Sequence, residues 1–520
     1  MLKYFIKSIL ILSLCTGMRA CSQPNGTPIT LSTETPTLIP APTKTPSPTP
    51  SPIATITPYP TLSTQKPYLL TWQGEQVFFE YDAEGLGRKV IELPPNGYIP
   101  FFPQLDNLVS PDGKWLAFYT GNVGRGDTQE IPPVTLNLLN ISNGEVVKIA
   151  DVVIDGYTEK LAQLAEELKR LYPDYYKPLD NRDWVFSSVL SAFTWSIHSV
   201  SWSPDGRMLA FAAQIDGISS DVYIFNLDTN TVEQIESSIQ NVGSINWSLD
   251  GQYIVFENSK PGYVYTGSSL YAVQPRGRVI ESPKELYGGT WLHVGNWLSP
   301  NLLLVADGTD TAGIFNLQSL DIRTGQLRTL WLDSIRNYAV DASNKIIILN
   351  TNEWDEPDNW GIYYITFNGQ QTRVLSGLYY ADLYFRGGNK NRFFIKGGSD
   401  EKTNPTFPLT GGNIAGLDIF GKPNPVAGNF DTDKISISPD KSWLLMYDEN
   451  KLYLYDVDDN LTQTFPANGV YSVIWRPDSQ AIFFSDGKAI YFLSIPNGNP
   501  RLIDECEQYG CSLRDITWLP

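Results

Sequence analysis

Val200-Ser-Trp-Ser-Pro-Asp-Gly-Arg-Met-Leu-Ala-Phe211 is the stretch on which the fold turns. It reads as strand, tight turn, strand. Pro204 presets φ, Asp205 has a side chain that can bond the turn backbone, and Gly206 accepts positive φ. The phrase returns as Leu108-Val-Ser-Pro-Asp-Gly-Lys-Trp-Leu-Ala-Phe-Tyr119 and as Ile245-Asn-Trp-Ser-Leu-Asp-Gly-Gln-Tyr-Ile-Val-Phe256. Looser copies are Asn296-Trp-Leu-Ser-Pro-Asn301, Val340-Asp-Ala-Ser-Asn-Lys345, Ile435-Ser-Ile-Ser-Pro-Asp-Lys441 and Val473-Ile-Trp-Arg-Pro-Asp-Ser479. At the Ser position the marks fall at residues 110, 203, 248, 299, 341, 438 and 476. Two gaps are about double the others. The later one holds a degenerate copy at Phe385-Arg-Gly-Gly388, followed by Arg392-Phe-Phe-Ile395.

A period of about 40–50 residues with several short strands per period is the signature of a β-propeller. Each unit supplies the two strands of the phrase. An alternating third strand follows, as in Asp221-Val-Tyr-Ile-Phe-Asn-Leu227, and then a polar edge such as Thr231-Val-Glu-Gln-Ile235. Four strands with two apolar faces are not stable alone, and stacking such units buries both faces. Counting marks gives eight whole blades plus one split between the chain ends. There, the inner strand Asp515-Ile-Thr-Trp518 would complete Tyr68–Trp72 and its neighbours. Nine blades being unusual, eight are expected, within a range of seven to nine. The expected class is all-β, a propeller over residues 67–520, closed by N- and C-terminal strands. One helical insertion is expected at about 153–195. Within it Thr158 caps a helix running to about Tyr172, with Leu161, Leu164, Leu168 and Leu171 on one face.

The Trp-Ser-Pro-Asp-Gly phrase resembles the WD40-like repeat of TolB-type propellers. It is also similar to the propeller that precedes the catalytic domain in prolyl oligopeptidases and dipeptidyl peptidase IV. The resemblance implies the fold and, for the TolB type, a place in a multiprotein envelope complex.

Composition agrees with an all-β chain. There are 14 Trp, 28 Tyr and 23 Phe against 4 Met and 2 His in 520 residues. The formal charge of −18 argues against a nucleic-acid partner.

Residues 1–20 read as an export signal, with Lys3 and Lys7 ahead of the apolar run Ile9–Leu14. That run is too short to cross a bilayer ~30 Å thick. Met18-Arg19-Ala20-Cys21 resembles a bacterial lipobox, with Arg19 departing from the usual pattern. The resemblance implies acylation of Cys21 and anchoring on the outer side of the cytoplasmic membrane or in the cell envelope. Residues 21–66 form a Pro/Thr-rich tether, with eleven prolines from Pro24 to Pro60. In polyproline II it would reach on the order of 100 Å.

The chemistry-bearing residues are sparse. No Gly-x-Ser-x-Gly nucleophile motif occurs, which argues against the hydrolase reading. His198 and His293 sit beside propeller strands and read as structural. Asp456-Val-Asp-Asp-Asn460 opens like a calcium loop, but Leu461 stands where Gly is needed, so an acidic turn is the simpler reading. Asp112, Asp205, Asp250, Asp440 and Asp478 read as turn formers. No cofactor or metal is expected. Cys506 and Cys511 are expected to pair as a local disulfide in an exported protein. Trp354 and Trp360, on an acidic loop, are the candidate ligand contacts. The expected function is a non-catalytic envelope lipoprotein whose propeller binds a protein, peptide or glycan. The alternative is a polysaccharide lyase or glycosidase working in the channel.

Overall fold

The computed structural model describes most of residues 68–519. Outside the described residues lie 1–67, 122–133, most of 154–197, 260–267, 400–412, 425–433, 506–515 and shorter connections. The body described here lies within residues 60–520. Cys21, Cys506, Cys511 and Trp354 fall outside the described residues, as does most of the span 153–195 where a helical insertion is expected.

The described body is almost entirely antiparallel sheet. Seven sheets have four strands each, and one has seven. In the seven-stranded sheet the 16-residue strand Gln326–Asp341 is the last strand of one four-stranded unit and the first of the next. Numbered in chain order, with this sheet counted as units 5 and 6, each unit follows the same plan. Unit 3 is typical: Val200–Trp202, Met208–Ala213, Asp221–Asn226 and Thr231–Gln234 lie side by side. Unit 1 is split as expected. The C-terminal strand Ile516–Leu519 pairs with Tyr68–Trp72, setting Leu69 opposite Trp518.

The repeated phrase forms the turn between first and second strands. In unit 3, Ser203 Oγ donates to Asp205 Oδ1 at 2.6 Å. The Arg207 N–H donates to the same carboxylate at 3.1 Å, and the Met208 N–H donates to Ser203 Oγ at 2.9 Å. Gly206 sits at φ +70°, as the turn requires. The same bonds recur at Ser110/Asp112, Ser248/Asp250 and Ser438/Asp440. These aspartates are thus turn formers. The copy at Leu108 departs from the plan. Leu105–Leu108 is a helical turn, Val109 makes only a single bridge to Leu116, and Gly97–Tyr98 takes the inner-strand place. The degenerate copy near Phe385 does form a unit, number 7, from Tyr379–Gly387 and Arg392–Ser399 onward.

The phrase tryptophans tie units together. Trp202 Nε1 donates to Leu108 O at 3.1 Å, Trp247 Nε1 to Ser201 O at 2.9 Å, and Trp475 Nε1 to Ser436 Oγ at 3.0 Å. Trp518 Nε1 donates to Trp475 O at 2.8 Å. Each indole reaches the inner segment of the preceding unit, and such a bond contributes about 1 kcal/mol.

The core lies between sheets. One cluster spans units 1 to 3, from Leu70 and Phe78 through Phe118 to Phe211. Further clusters join 3 with 4, 4 with 5, 5 with 6, 6 with 7, 7 with 8 and 8 with 9. The last joins unit 9, through Phe483 and Phe492, to Leu69 and Tyr81 of unit 1.

Candidate functional site

Antiparallel neighbours force the connections to alternate between the two ends of each sheet. First-to-second and third-to-fourth connections leave at one end, here the turn end. The others leave at the loop end. Turn-end connections are mostly short, such as residues 203–207 and 227–230. Among the described residues an exception follows Val273, where Pro275–Arg276 and Val279–Ile280 make a small ribbon.

Trp360 lies at this loop end. The single helical turn Pro357–Asn359 precedes it, and Pro357 starts that turn at no hydrogen-bonding cost. The Trp360 carbonyl accepts the Gly377 N–H at 3.0 Å, which ties the loop to the crossover into unit 7. Its side chain is half-buried. Tyr363 belongs to the third strand, as the sequence suggests. Its ring lies 4.4 Å from that of Trp331, and its hydroxyl donates to Asn359 O at 2.9 Å, propping the helical turn.

At the same end stand residues that sequence reasoning missed. Tyr380, at the start of the inner strand of unit 7, is 42% exposed. The Arg336 guanidinium of unit 6 lies over its ring, 4.9 Å from the centroid. Asn337 Nδ2 is 3.4 Å from Asp382 Oδ1, across the same seam. Two units on, the arrangement repeats. Lys434 of unit 8 lies 5.1 Å from the ring centroid of Tyr471 of unit 9, which is 41% exposed. Here the ammonium also donates to Tyr471 O at 2.8 Å. The only signal in the sequence is a cation opening one inner strand and a tyrosine opening a later one. It is unreadable until the strands are placed side by side.

The turn end is chemically different. A hollow of about 440 Å³ opens where unit 7 lacks the Ser-Pro-Asp-Gly turn, walled by Val340, Leu383, Phe385 and Ile437. Lys441 Nζ bridges it to Asp341 Oδ2 at 3.1 Å. Burial works against the Asp341 charge, but hydrogen bonds from Ser343, Asn344 and Lys441 hold its carboxyl down to about 2.

Other titratable groups are buried or hydrogen-bonded. His198 is packed against Tyr119, with Nε2 3.2 Å from the Tyr98 hydroxyl, and burial pushes it down to about 4. It is therefore neutral near pH 7. The side chain of His293 lies outside the described residues. Glu257 sits between units 4 and 5, where it accepts the Val294 N–H at 3.2 Å. Burial pushes it up to about 7 against that single bond. Asp456 Oδ1 accepts the Asp458 and Asn460 N–H groups and closes its own turn. Among the described residues no group of three or more His, Cys, Asp or Glu is placed to hold a metal ion.

These repeated four-stranded antiparallel units, sharing a core cluster from each to the next, make the fold a β-propeller. No family model matches the chain. A stretch of 66 residues, 13% of the chain, is 38% identical to 15% of the Tol-Pal system protein TolB of Alcanivorax borkumensis. The chain thus matches only a small part of that relative's length. Among solved structures, a eukaryotic initiation factor overlaps 86% of this chain and 99% of its own, with a TM-score of 0.49 and 12% identity. Porphyromonas gingivalis dipeptidyl peptidase 4 overlaps 86% of this chain and 59% of its own, with a TM-score of 0.40 and 12% identity.

Proposed function

We propose that the chain is an exported, lipid-anchored β-propeller without catalytic activity, whose loop end binds a partner at the cell envelope. Cys21 carries the lipid, residues 21–66 are the tether, and Cys506 and Cys511 pair near the last strand. The propeller closes as nine blades, the upper end of the range the repeat count allows. Three observations support closure. Core clusters link each unit to the next, a further cluster links unit 9 to unit 1, and the C-terminal strand completes the sheet of unit 1.

The observation that carries the binding reading is the contrast between the two ends. At the turn end the repeated aspartates are consumed by their own turns. At the loop end exposed tyrosines, a half-buried tryptophan and cations gather on neighbouring units.

The test is a photo-crosslinker placed at Tyr380 or, as a turn-end control, at Asp112 of the full chain in native envelopes. Mass spectrometry then identifies what is attached. Adducts from position 380 and none from 112 are expected. Adducts from 112 alone would overturn the assignment of the loop end, and no adduct from either would overturn the binding reading.

A further inference from the structure

We propose that Glu257 is a proton-operated latch between units 4 and 5: protonated, it holds the loop end of that seam shut, and ionised, it admits water and loosens it. The latch stands whatever the loop end binds.

Glu257 lies near the loop end of Ile254–Ser259, the second strand of unit 4, and its side chain points across to unit 5. There it accepts the Val294 N–H of the next inner strand, Leu292–Ser299, at 3.2 Å. This is its only hydrogen bond among the described residues. Gly243, on the inner strand of unit 4, makes room for the carboxyl. A Cβ at that position would stand 3.2 Å from the Glu257 Cβ and 3.4 Å from Oε2. The backbone of Gly243 is not left-handed, so glycine serves space here rather than conformation.

Other seams are tied near the same end by neutral groups. Asn350, near the end of the second strand of unit 6, donates to Tyr379 O of the unit 7 inner strand at 2.8 Å. Between units 3 and 4, Ser220 Oγ accepts the Val242 N–H at 2.8 Å and Ser199 Oγ accepts the Ile245 N–H at 3.0 Å. An amide or a hydroxyl is therefore enough to tie such a seam, and a carboxyl adds only the ability to titrate.

Nothing on the packed strands offsets its charge. Val242–Trp247, Ser268–Val273, Leu292–Ser299 and Leu302–Thr309 hold no lysine or arginine. Their titratable groups are Tyr271, His293 and Asp307. Tyr271 stacks on Phe256 and so turns toward unit 3. Asp307 accepts the Tyr287 hydroxyl at 3.3 Å. The His293 side chain lies outside the described residues. Lys284 opens the outer strand of unit 4 at the turn end, the far end of the sheet. A carboxylate with one N–H donor and no cation regains its lost hydration only by letting water in. Glu257 is half-buried, so protons can reach it. Burial raises it to about 7, so it stabilises the closed seam below its unfolded value near 4.3 and gives that up as pH rises through 7.

The experiment is hydrogen exchange read by mass spectrometry on the full chain in detergent at pH 5 and pH 8. Each rate is divided by that of an unstructured chain at the same pH. Segments covering 242–247 and 292–299 should lose about tenfold in protection from pH 5 to pH 8, with a ceiling of about a hundredfold set by the two pH units between 5 and 7. Ile346–Thr351 in unit 6 should not change. Glu257→Gln and Glu257→Ala should each abolish the step, and His293→Gln should keep it. Circular dichroism at pH 5 shows which variants fold, and either Glu257 variant alone suffices for the test. The proposal is overturned by a parent without the step or by a step of equal size at Ile346–Thr351. It is also overturned by a step that survives loss of the Glu257 carboxyl, or by one that vanishes in His293→Gln.

Discussion

Replacing Asp504 by Ala should open the joint between the last unit and the first. Asp504 lies on the outer strand Arg501–Glu505 of unit 9. It accepts the Tyr81 hydroxyl of unit 1 at 2.8 Å and pairs with Arg88 of the same unit. The two charged side chains are only 9% and 13% exposed. An exposed pair would contribute less than about 1 kcal/mol, but removing one partner of a buried pair costs about 3–5 kcal/mol, because the other charge is stranded. Here Arg88 keeps its place over the Phe79 ring, 4.4 Å from the centroid, so the lower end, about 3 kcal/mol, applies. For a body of this size that is a fall in Tm of about 3–6 °C. The effect should also be local. Hydrogen exchange of the Ile516–Leu519 amides should quicken, while Ile346–Thr351 on the far units should not change. A double variant, Arg88→Met with Asp504→Leu, replaces the pair by apolar bulk and should recover most of the loss. The reasoning is refuted if Asp504→Ala melts within 1 °C of the parent, or if the double variant is as unstable as the single loss predicts.

Other consequences are measurable on the same protein. Glu257 is raised to about 7 by burial, so it favours the folded state below its unfolded value near 4.3 and loses that advantage as pH rises through 7. Glu257→Gln should therefore flatten the decline in Tm between pH 5 and pH 8 and leave pH 4 unchanged. Asp341 is held down to about 2, so its contribution is present above pH 4 and disappears as pH falls toward 2. Asp341→Asn should lower Tm at pH 7 and converge with the parent near pH 2 in an acid titration. Trp202→Phe removes the bond to Leu108 O while keeping most of the packing, and should cost about 1–2 kcal/mol in denaturant unfolding. Asp205→Ala should cost about 1 kcal/mol in denaturant unfolding, since it removes the bonds that Asp205 makes within its turn.

What the sequence could reveal follows the range of the forces involved. The Ser-Pro-Asp-Gly turns are local: Ser203, Asp205, Gly206 and Met208 meet within six residues, so their pattern was readable and recurs in the structure. The pairing of Tyr68–Trp72 with Ile516–Leu519 spans the whole chain. It was nevertheless inferable, because a unit lacking an inner strand at one end and a lone inner strand at the other complement each other. The helical turn at Leu105–Leu108 was missed, since the phrase downstream still looked like a strand and only the presence of Gly97–Tyr98 displaced it. The loop-end chemistry was half legible. An isolated tryptophan such as Trp360 is visible by its size, whereas Arg336 and Tyr380 lie 44 positions apart and have no local pattern in common. Only the antiparallel register, which starts both inner strands at the same end, brings the guanidinium to 4.9 Å from the ring centroid. A blade repeat conserves the scaffold that its own turn must build and leaves the loop end free to vary. The residues to which we assign binding are therefore the ones that break the repeat, and a reading guided by the repeat will pass over them first.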